Sequence, residues 1–421
     1  MGELLKNARI RIMYLREYVN IAGALAFYGS VGNYPLLQGR TNLFRCFLPN
    51  AWSYTRAQNG VSAFVHPDEV YADTKAPLLR REMYRRICSH FHFQNRLNLF
   101  AGVDSNAQFS LNIYRNKINS SISFDSIWNL YAPSTIDECY ASDGSGDVPG
   151  TKDDNWNWEV KGHKNRIIHI EESELKTFAL LLSEQGTSSW RNTPLVAVHV
   201  QELFDAICKM ASVSRCLRDY GEDITYSSMW NETNARKDGT ICDEVHFPSV
   251  DEKIIYSSPF LGVANPLMQG AKRNWKTRND YDLLDLMEIN DSFEPRTKYR
   301  QACTDFEYQQ RLPKMSDGSN FDAVYRLACR RMVNLVSERT LQASCVHPGA
   351  AWVHTITGYG VHPERYALLA LMSGLEAALP YDFLVRSIGK MDIHSSTLQL
   401  FPVPETILLP KFVSAVCCST V

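Results

Sequence analysis

The apolar positions of the first 115 residues switch between helical and strand spacing. Residues 1–30 and the segment TNLFRCFLPNAWSY have apolar residues at helical intervals, whereas GVSAFVHPDEVY has a short apolar run that stops at His66-Pro67. APLLRREMYRRICSHF places apolar residues on one helical face and arginines on the other. FHFQNRLNLF and AQFSLNIY are then two predicted strands, so the order predicts an α/β sheet that finishes in a hairpin.

The pattern changes at ASDGSGDVPGTKDDNWNWEVKG, which is rich in Gly and Asp and predicts a long surface loop. Beyond it we predict a strand in NRIIHI, helices in ELKTFALLLSEQ and QELFDAICKMASVSR, and one closing helix in PERYALLALMSGLEAALPYDFLVRSIG. LQLFPVP is predicted to be a strand with Leu398, Leu400 and Phe401 buried. The expected division is into segments 1–140, 141–260 and 261–421.

Composition narrows the classes of function. The chain has 421 residues and a formal net charge of -2, so any nucleic-acid surface must be local. Its 11 cysteines include no C-x-x-C pair, which fits a reducing compartment and excludes a zinc ribbon. We find neither a signal peptide nor an apolar run of about 18 residues, and therefore expect a cytoplasmic protein without a membrane span.

Four blocks occur in an order that resembles large bacterial DNA adenine-N6 methyltransferases of the gamma class with a TaqI-like specificity domain. They are TNLFRCFLPNAW, GVSAFVHPDEVYAD, LRREMYRRICSHFHFQNRLNLFAGVDSNAQFSLNIY and LLALMSGLEAALPYDFLVRSIGKMDIHSSTLQLFPVP. Many such enzymes belong to restriction-modification or phage-defence systems. The resemblance implies an α/β fold, a partial Rossmann-like methyltransferase sheet, followed by an α+β target-recognition domain, with double-stranded DNA as partner.

Two motifs of these enzymes are missing from the chain. No Gly-rich turn follows a suitable strand, and the only Asn-Pro, at Asn265-Pro266, is followed by Leu267 rather than Pro and an aromatic residue. The chain therefore resembles the C-terminal portion of such a methylase and is not expected to be active alone. S-adenosylmethionine is expected as cofactor only if an N-terminal methylase polypeptide completes the enzyme; other defence-system subunits are further expected partners.

The resemblance assigns roles to residues of the first segment. Asn42 and Phe44 correspond to a block near the cofactor, and Phe100 corresponds to the phenylalanine that stacks on the extruded adenine. His66, Pro67 and Asp104 would line the same pocket. For each position a plain packing or turn-capping role stays open, because a core phenylalanine at a strand end has the same pattern.

Basic residues of the last segment are the predicted DNA contacts, because Lys and Arg neutralise phosphates and Arg also recognises guanine. QGAKRNWKTRNDYD and EPRTKYR are local basic patches on either side of an acidic stretch, and GKMDIHSS adds a Gly turn. The predicted contacts are Lys272, Arg273, Trp275, Lys276, Arg278, Arg296, Lys298, Arg300, Lys390 and His394. Solvated charged loops are the alternative interpretation.

Two other classes of function stay open. Asp137 with Glu159-Val160-Lys161 loosely matches the D…ExK arrangement of metal-dependent nucleases, in which carboxylates hold a divalent cation. His90 and His92 lie two residues apart on a predicted strand, without a metal-ligand pattern. The main alternative is a DNA-recognition or partner-binding protein of a restriction or phage-defence system that performs no catalysis.

Overall fold

The structure is a computed structural model that describes residues 2, 4–37, 42–73, 75–182, 190–248, 253–277, 279–290, 293–334, 337–389 and 392–404. Contacts between residues divide the chain into two units, Met1–Cys208 and Lys209–Val421. The division between them lies inside the segment 141–260 that the sequence assigns to a linker. The three predicted segments stay a prediction.

The first unit contains a mixed sheet and six helices among its described residues. Its helices α1 to α6 are Ala8–Tyr28, Leu43–Tyr54, Pro77–Tyr84, Ser134–Ala141, Glu172–Leu182 and Gln201–Ala211. Its strands β1 to β5 are Val61–Pro67, Ile87–Gln94, Gln108–Arg115, Ser123–Leu130 and Ile168–Glu171. Asn7 caps α1 by accepting hydrogen bonds from the backbone N–H groups of Arg9 and Ile10, and α3 begins with Pro77, whose missing N–H costs nothing there.

The strand order is β1-β3-β2-β4-β5. β3 is antiparallel to both β1 and β2, and β2 is parallel to β4, so β1, β2 and β4 run in the same direction. The predicted hairpin is confirmed, because β2 and β3 are consecutive and antiparallel. The sequence pattern does not predict β4, since polar residues at Ser123, Asp125 and Ser126 interrupt its apolar run.

The two faces of this sheet differ in polarity because successive side chains alternate between them. One face is apolar: Phe91, Phe93 and Ile127 pack with Cys139 of α4. The opposite face carries buried polar side chains, which include His66, His90, Ser110, Asn112 and Ser126. A sheet whose polar face is buried must satisfy those groups internally, and this requirement shapes the site described below.

The second unit is built from short strands and helices. Strands β6 to β15 are Ile224–Ser227, Ile241–His246, Ile255–Tyr256, Gln269–Ala271, Tyr281–Leu283, Thr297–Gln301, Arg326–Arg330, Ala343–Val346, Ala351–Trp352 and Ile356–Val361. Helices α7 to α11 are Glu232–Lys237, Asp305–Arg311, Tyr366–Ala377, Leu379–Ile388 and Ser395–Leu398. Its four-stranded sheet has the order β13-β12-β15-β6, and its core includes Phe260, Phe321 and Trp352. An α/β unit followed by an α+β unit confirms the predicted fold class.

The closing segment corrects two predictions. The single predicted helix is two helices, α9 and α10, bent by 70° where Leu379-Pro380 begins the second one. LQLFPVP is not a strand: it begins as α11 and continues extended, with one bridge between Pro402 and Cys216. The predicted burial of Leu398, Leu400 and Phe401 is confirmed. The tail is held by hydrogen bonds from Tyr381 to the Pro402 carbonyl and from the Leu217 N–H to the Phe401 carbonyl.

Among the described residues, no single helix has both the length and the apolar composition needed to cross a membrane. The bent pair Pro363–Ala377 and Leu379–Ile388 meets that criterion by length and composition only.

Candidate functional site

The carboxyl end of β1 is where several predicted site residues meet. His66, the penultimate residue of β1, is buried, and its ring stacks on Phe44 of α2 with 5.4 Å between centroids and 18° between planes. Asn42 immediately precedes α2, and its side-chain amide lies 3.4 Å from the Glu69 carboxylate. Arg45 also binds Glu69, at 3.2 Å. The loop after β1 is thereby tied to the start of α2.

The hydrogen bonds of His66 define its tautomer. Nδ1 lies 2.9 Å from the Pro67 carbonyl oxygen, which can only accept, so Nδ1 carries the proton. Nε2 then accepts from the Asn112 amide at 3.0 Å and from the Tyr114 hydroxyl at 3.1 Å. Burial lowers the pKa of His66, which is consistent with a neutral ring. Its position is therefore fixed from both sides of the ring.

A second part of the buried network is centred on Asp68. His90 Nε2 lies 3.0 Å from the Asp68 carboxylate, and His90 Nδ1 lies 2.9 Å from the Ser126 hydroxyl. Burial alone would raise the pKa of Asp68, but His92 and His90 lower it well below its usual range. The result is a buried carboxylate with cationic and hydrogen-bonding partners, directly after the carboxyl end of β1.

Phe100 lies on the other side of the same sheet end. Asn95 holds its loop, with the Phe100 N–H donating to Asn95 Oδ1 at 3.0 Å and the Asn95 amide donating to the Phe100 carbonyl at 3.1 Å. The Phe100 ring is 44% exposed and contacts Phe109 edge to face at 4.9 Å. Phe109 is the β3 partner of Pro67. The structure thus brings Phe44, His66, Pro67 and Phe100 to one end of the sheet, on its two faces.

Asp104 has a simpler local role. It is exposed, and its carboxylate accepts from the Asn106 backbone N–H at 2.6 Å, which lowers its pKa. This is the turn-capping arrangement left open above. Its place in the predicted pocket stays a prediction.

In the second unit, the loop between β9 and β10 presents the predicted cations to solvent. Lys272, Arg273 and Lys276 are exposed, and Lys272 has a distant ion pair of 3.8 Å with Asp282. The Asp280 carboxylate accepts from the Lys276 N–H at 2.9 Å, which closes the loop. The loop therefore has a fixed backbone and solvent-exposed basic side chains.

Lys298 is a correction to the predicted DNA contacts. It is 8% exposed, its ammonium donates to the Tyr299 hydroxyl at 2.9 Å, and it lies 3.4 Å from Glu232. It also lies 4.1 Å from the centre of the Trp275 ring. A buried, paired ammonium is not available to a phosphate, so we assign Lys298 to holding Trp275, and with it the basic loop, against the body of the unit.

The other predicted DNA contacts differ in their availability. The Arg296 guanidinium lies over the Phe247 ring at 4.9 Å, and Arg300 pairs with Glu244 at 3.3 Å. His394 is exposed and lies 3.4 Å from Asp392. The remaining two predicted contacts, Arg278 and Lys390, lie outside the described residues.

The nuclease alternative finds no metal centre in the described part of the chain. The Glu159 carboxylate accepts from its own neighbours, the Val160 and Lys161 N–H groups, both at 2.9 Å. No group of three His, Cys, Asp or Glu side chains among the described residues is arranged to hold a metal ion.

The sequence interpretation missed the buried polar network. A period-2 signal is present: His90 and His92 on β2, and Ser110 and Asn112 on β3, are polar residues in segments that otherwise have the pattern of core strands. Such spacing places all four side chains on one face of the sheet. Tyr71, which donates to the Asn112 side chain at 2.6 Å, could not be found by strand periodicity because it lies in the turn Asp68–Tyr71.

The likenesses of this chain to known proteins are distant. No family description matches the chain, and no curated protein matches it. Among solved structures, the Type IIL restriction-modification enzyme MmeI in complex with DNA is similar over 80% of this chain, with 10% identity and a TM-score of 0.32. The type IIG restriction endonuclease BpuSI is similar over 88%, with 8% identity and a TM-score of 0.30. The chain spans 39% and 43% of those two chains. Likenesses of this size carry no argument about function.

Proposed function

We propose that this chain is part of a site-specific DNA adenine-N6 methyltransferase, in which it provides target recognition and one wall of the pocket for the extruded base. The observation that carries the proposal is the half-exposed Phe100 ring, held by Asn95 at the same sheet end as His66 and Pro67. A base taken out of a duplex loses its stacking partners, and an aromatic ring offsets part of that loss.

The geometry of Phe100 suits this role. Its contact with Phe109 is edge to face, at 80° between ring planes, so the packing with Phe109 does not cover the ring as a stacked partner would. The Asn95 hydrogen bonds fix the backbone on both sides of the peptide, and they position the ring before any base arrives. A positioned ring lowers the ordering cost of binding.

S-adenosylmethionine, the proposed cofactor, would supply the methyl group when bound. The residues that this chain would contribute to its site are Phe44, as an aromatic surface backed by His66, and Asn42, as an amide donor. They fit one side of an adenosine group and no more, because the chain has no Gly-rich turn to hold the rest. We therefore propose that catalysis needs a second methylase segment.

The loop that carries Lys272, Arg273 and Lys276 is the proposed phosphate-binding surface. These side chains project from a backbone closed by Asp280 and anchored through Trp275 on Lys298. Three exposed cations on one rigid loop lose little side-chain freedom beyond their own when they meet a phosphate backbone. The net charge of -2 makes such a local surface the main electrostatic means of attracting DNA.

Duplex binding by the purified chain tests this proposal. We expect replacement of Lys272, Arg273 and Lys276 by Ala to weaken binding to all sequences. The slope of log affinity against log salt should fall by about 1 for each phosphate that the protein no longer neutralises. The matched control removes three other exposed lysines of the second unit, Lys209, Lys237 and Lys314, and so has the same change in net charge.

An equal effect of both triple variants would mean that only net charge matters, and the loop would be an ordinary solvated surface. No measurable duplex binding by the wild-type chain would overturn the target-recognition role. Duplex binding without methylation, even in the completed enzyme, would favour the DNA-recognition protein without catalysis.

A further inference from the structure

The outer edge of β1 is unpaired among the described residues of the chain. β1 is the last strand of its sheet, with β3 on one side only. The Asn116 N–H donates to the Gly60 carbonyl at 2.9 Å, which marks Gly60 and Asn116 as a hydrogen-bonded pair of the ladder. Because such pairs alternate in an antiparallel ladder, Ser62, Phe64 and His66 bond to β3. The N–H and C=O groups of Val61, Ala63 and Val65 therefore point to the open edge.

The side chains next to that edge are apolar and uncovered. Val61 is 61% exposed and Val65 is 53% exposed, and Ala63 between them is exposed as well. They lie on the apolar face of the sheet, opposite the buried polar network, and Leu111 and Ile113 of β3 continue that face. An edge strand with free hydrogen-bonding groups, apolar side chains, and neither Lys nor Pro before residue 67 has none of the usual features that prevent pairing.

The same unit has a second uncovered apolar surface on α1. This helix of 21 residues has no buried residue, although Met13, Val19 and Leu25 are each more than 60% exposed. An isolated helix of this length without a packed face is marginal in water. Two apolar surfaces in one unit indicate that the unit is completed by another segment.

We propose that the β1 edge binds a strand of an α/β methylase segment that carries the Gly-rich cofactor turn, and that this strand runs parallel to β1. The inference rests on the proposed function for the identity of the occupant. The direction follows from the sheet itself, because β1, β2 and β4 already run in one direction.

A parallel neighbour gives the docked strand a functional position. Its carboxyl end would lie beside Pro67, at the sheet end where Phe44, His66 and Phe100 are held. In open α/β sheets, ligands bind in the crevice outside the carboxyl ends of the strands. A second copy of this chain is a poorer occupant, because a two-fold axis would pair β1 with itself in antiparallel fashion.

Site-specific crosslinking in the native cell tests the docking surface. A photoreactive benzoylphenylalanine replaces Ala63, and in the control it replaces Leu180, which is 68% exposed on α5 of the same unit. The linked peptide is identified by mass spectrometry. We expect a crosslink from position 63, absent from position 180, to a segment that contains both a Gly-rich turn and an Asn-Pro-Pro-aromatic motif.

Two edge variants give the second measurement. Ala63→Pro removes one N–H at the open edge and leaves the ladder with β3 intact, and Val65→Lys adds a charge there. We expect both to reduce co-purification of the linked segment at least tenfold, while Leu180→Lys has no effect. Circular dichroism and duplex binding check that the variants fold and that the second unit works.

A crosslink to a second copy of this chain, to a protein without those motifs, or to nothing would overturn the docking proposal. Duplex binding measured on the same samples separates this failure from failure of the proposed function. Loss of docking with normal DNA binding refutes only the surface, whereas a chain that docks but binds no DNA refutes target recognition.

Discussion

Glu376 on α9 is a buried acid whose protonation should control the stability of the second unit. Its carboxylate is 1% exposed and accepts a hydrogen bond of 2.8 Å from the Tyr359 hydroxyl of β15. Burial raises its pKa to about 8, and the Tyr359 hydrogen bond offsets only part of that rise. At neutral pH the folded protein therefore keeps Glu376 protonated, whereas the unfolded chain ionises it near pH 4.5.

The sign of the pH dependence follows from this difference. The folded state binds one more proton than the unfolded state between about pH 4.5 and pH 8, so stability falls as pH rises through that window. A difference of roughly 3.5 pKa units at about 1.4 kcal/mol each gives a total loss of roughly 5 kcal/mol at high pH. Most of that loss, about 3 to 4 kcal/mol, falls between about pH 5 and pH 8.

Glu376→Gln removes the titration and keeps the size and the oxygen that accepts from Tyr359. We expect the variant to be close to wild type at about pH 5 and more stable by about 3 kcal/mol at about pH 8. Urea unfolding at several pH values, followed by hydrogen exchange in β12 and β15, measures the second unit separately from the first. Glu364→Gln, at an exposed position just before α9, is the matched control.

The reasoning would be refuted if Glu376→Gln were no more stable than wild type at pH 8. It would equally be refuted if wild-type stability in the second unit were independent of pH from 5 to 8. An effect of the same size in Glu364→Gln would show that net charge, rather than the buried site, sets the pH dependence.

Three further predictions concern the candidate site. Phe100→Ala in the completed enzyme should slow methylation and reduce extrusion of a fluorescent adenine analogue, by roughly 1–3 kcal/mol in base stacking; normal extrusion would return Phe100 to a packing role. The chain alone should show little or no binding of S-adenosylmethionine in calorimetry, and tight stoichiometric binding would mean that the cofactor site is misplaced. Lys298→Met should loosen the Trp275 loop and weaken duplex binding while the salt slope for each remaining phosphate is kept, which hydrogen exchange in the loop and a salt titration check; unchanged loop exchange would remove its anchoring role.

Sequence reasoning succeeded where the pattern is local. β1, β2 and β3 follow from short apolar runs that end at Gly, Pro or Asn, and α3 follows from a clear apolar face. It failed where tertiary contacts decide the outcome. The arginines of YRLACRRMVNLVSERT have the pattern of a helix surface, yet Arg326 lies buried on β12 and donates to the Ala350 carbonyl at 2.7 Å.

The candidate site shows the same limit. Resemblance identifies Phe100 and Phe44, but their placement depends on Asn95 and His66, whose contacts join residues far apart in the chain. Lys298 has the pattern of a DNA contact because it lies in a basic run. Nothing in that run reveals Glu232, 66 positions away, which pairs with it.

Reconstituted methyl transfer tests the central claim most directly. The methylase segment identified at the β1 edge is mixed with this chain, duplex DNA and S-adenosylmethionine, and N6-methyladenine is measured by mass spectrometry. The account predicts no product from either polypeptide alone and site-specific N6-methyladenine from the mixture. Equal methylation without this chain, or none from a mixture that assembles and binds DNA, would contradict it.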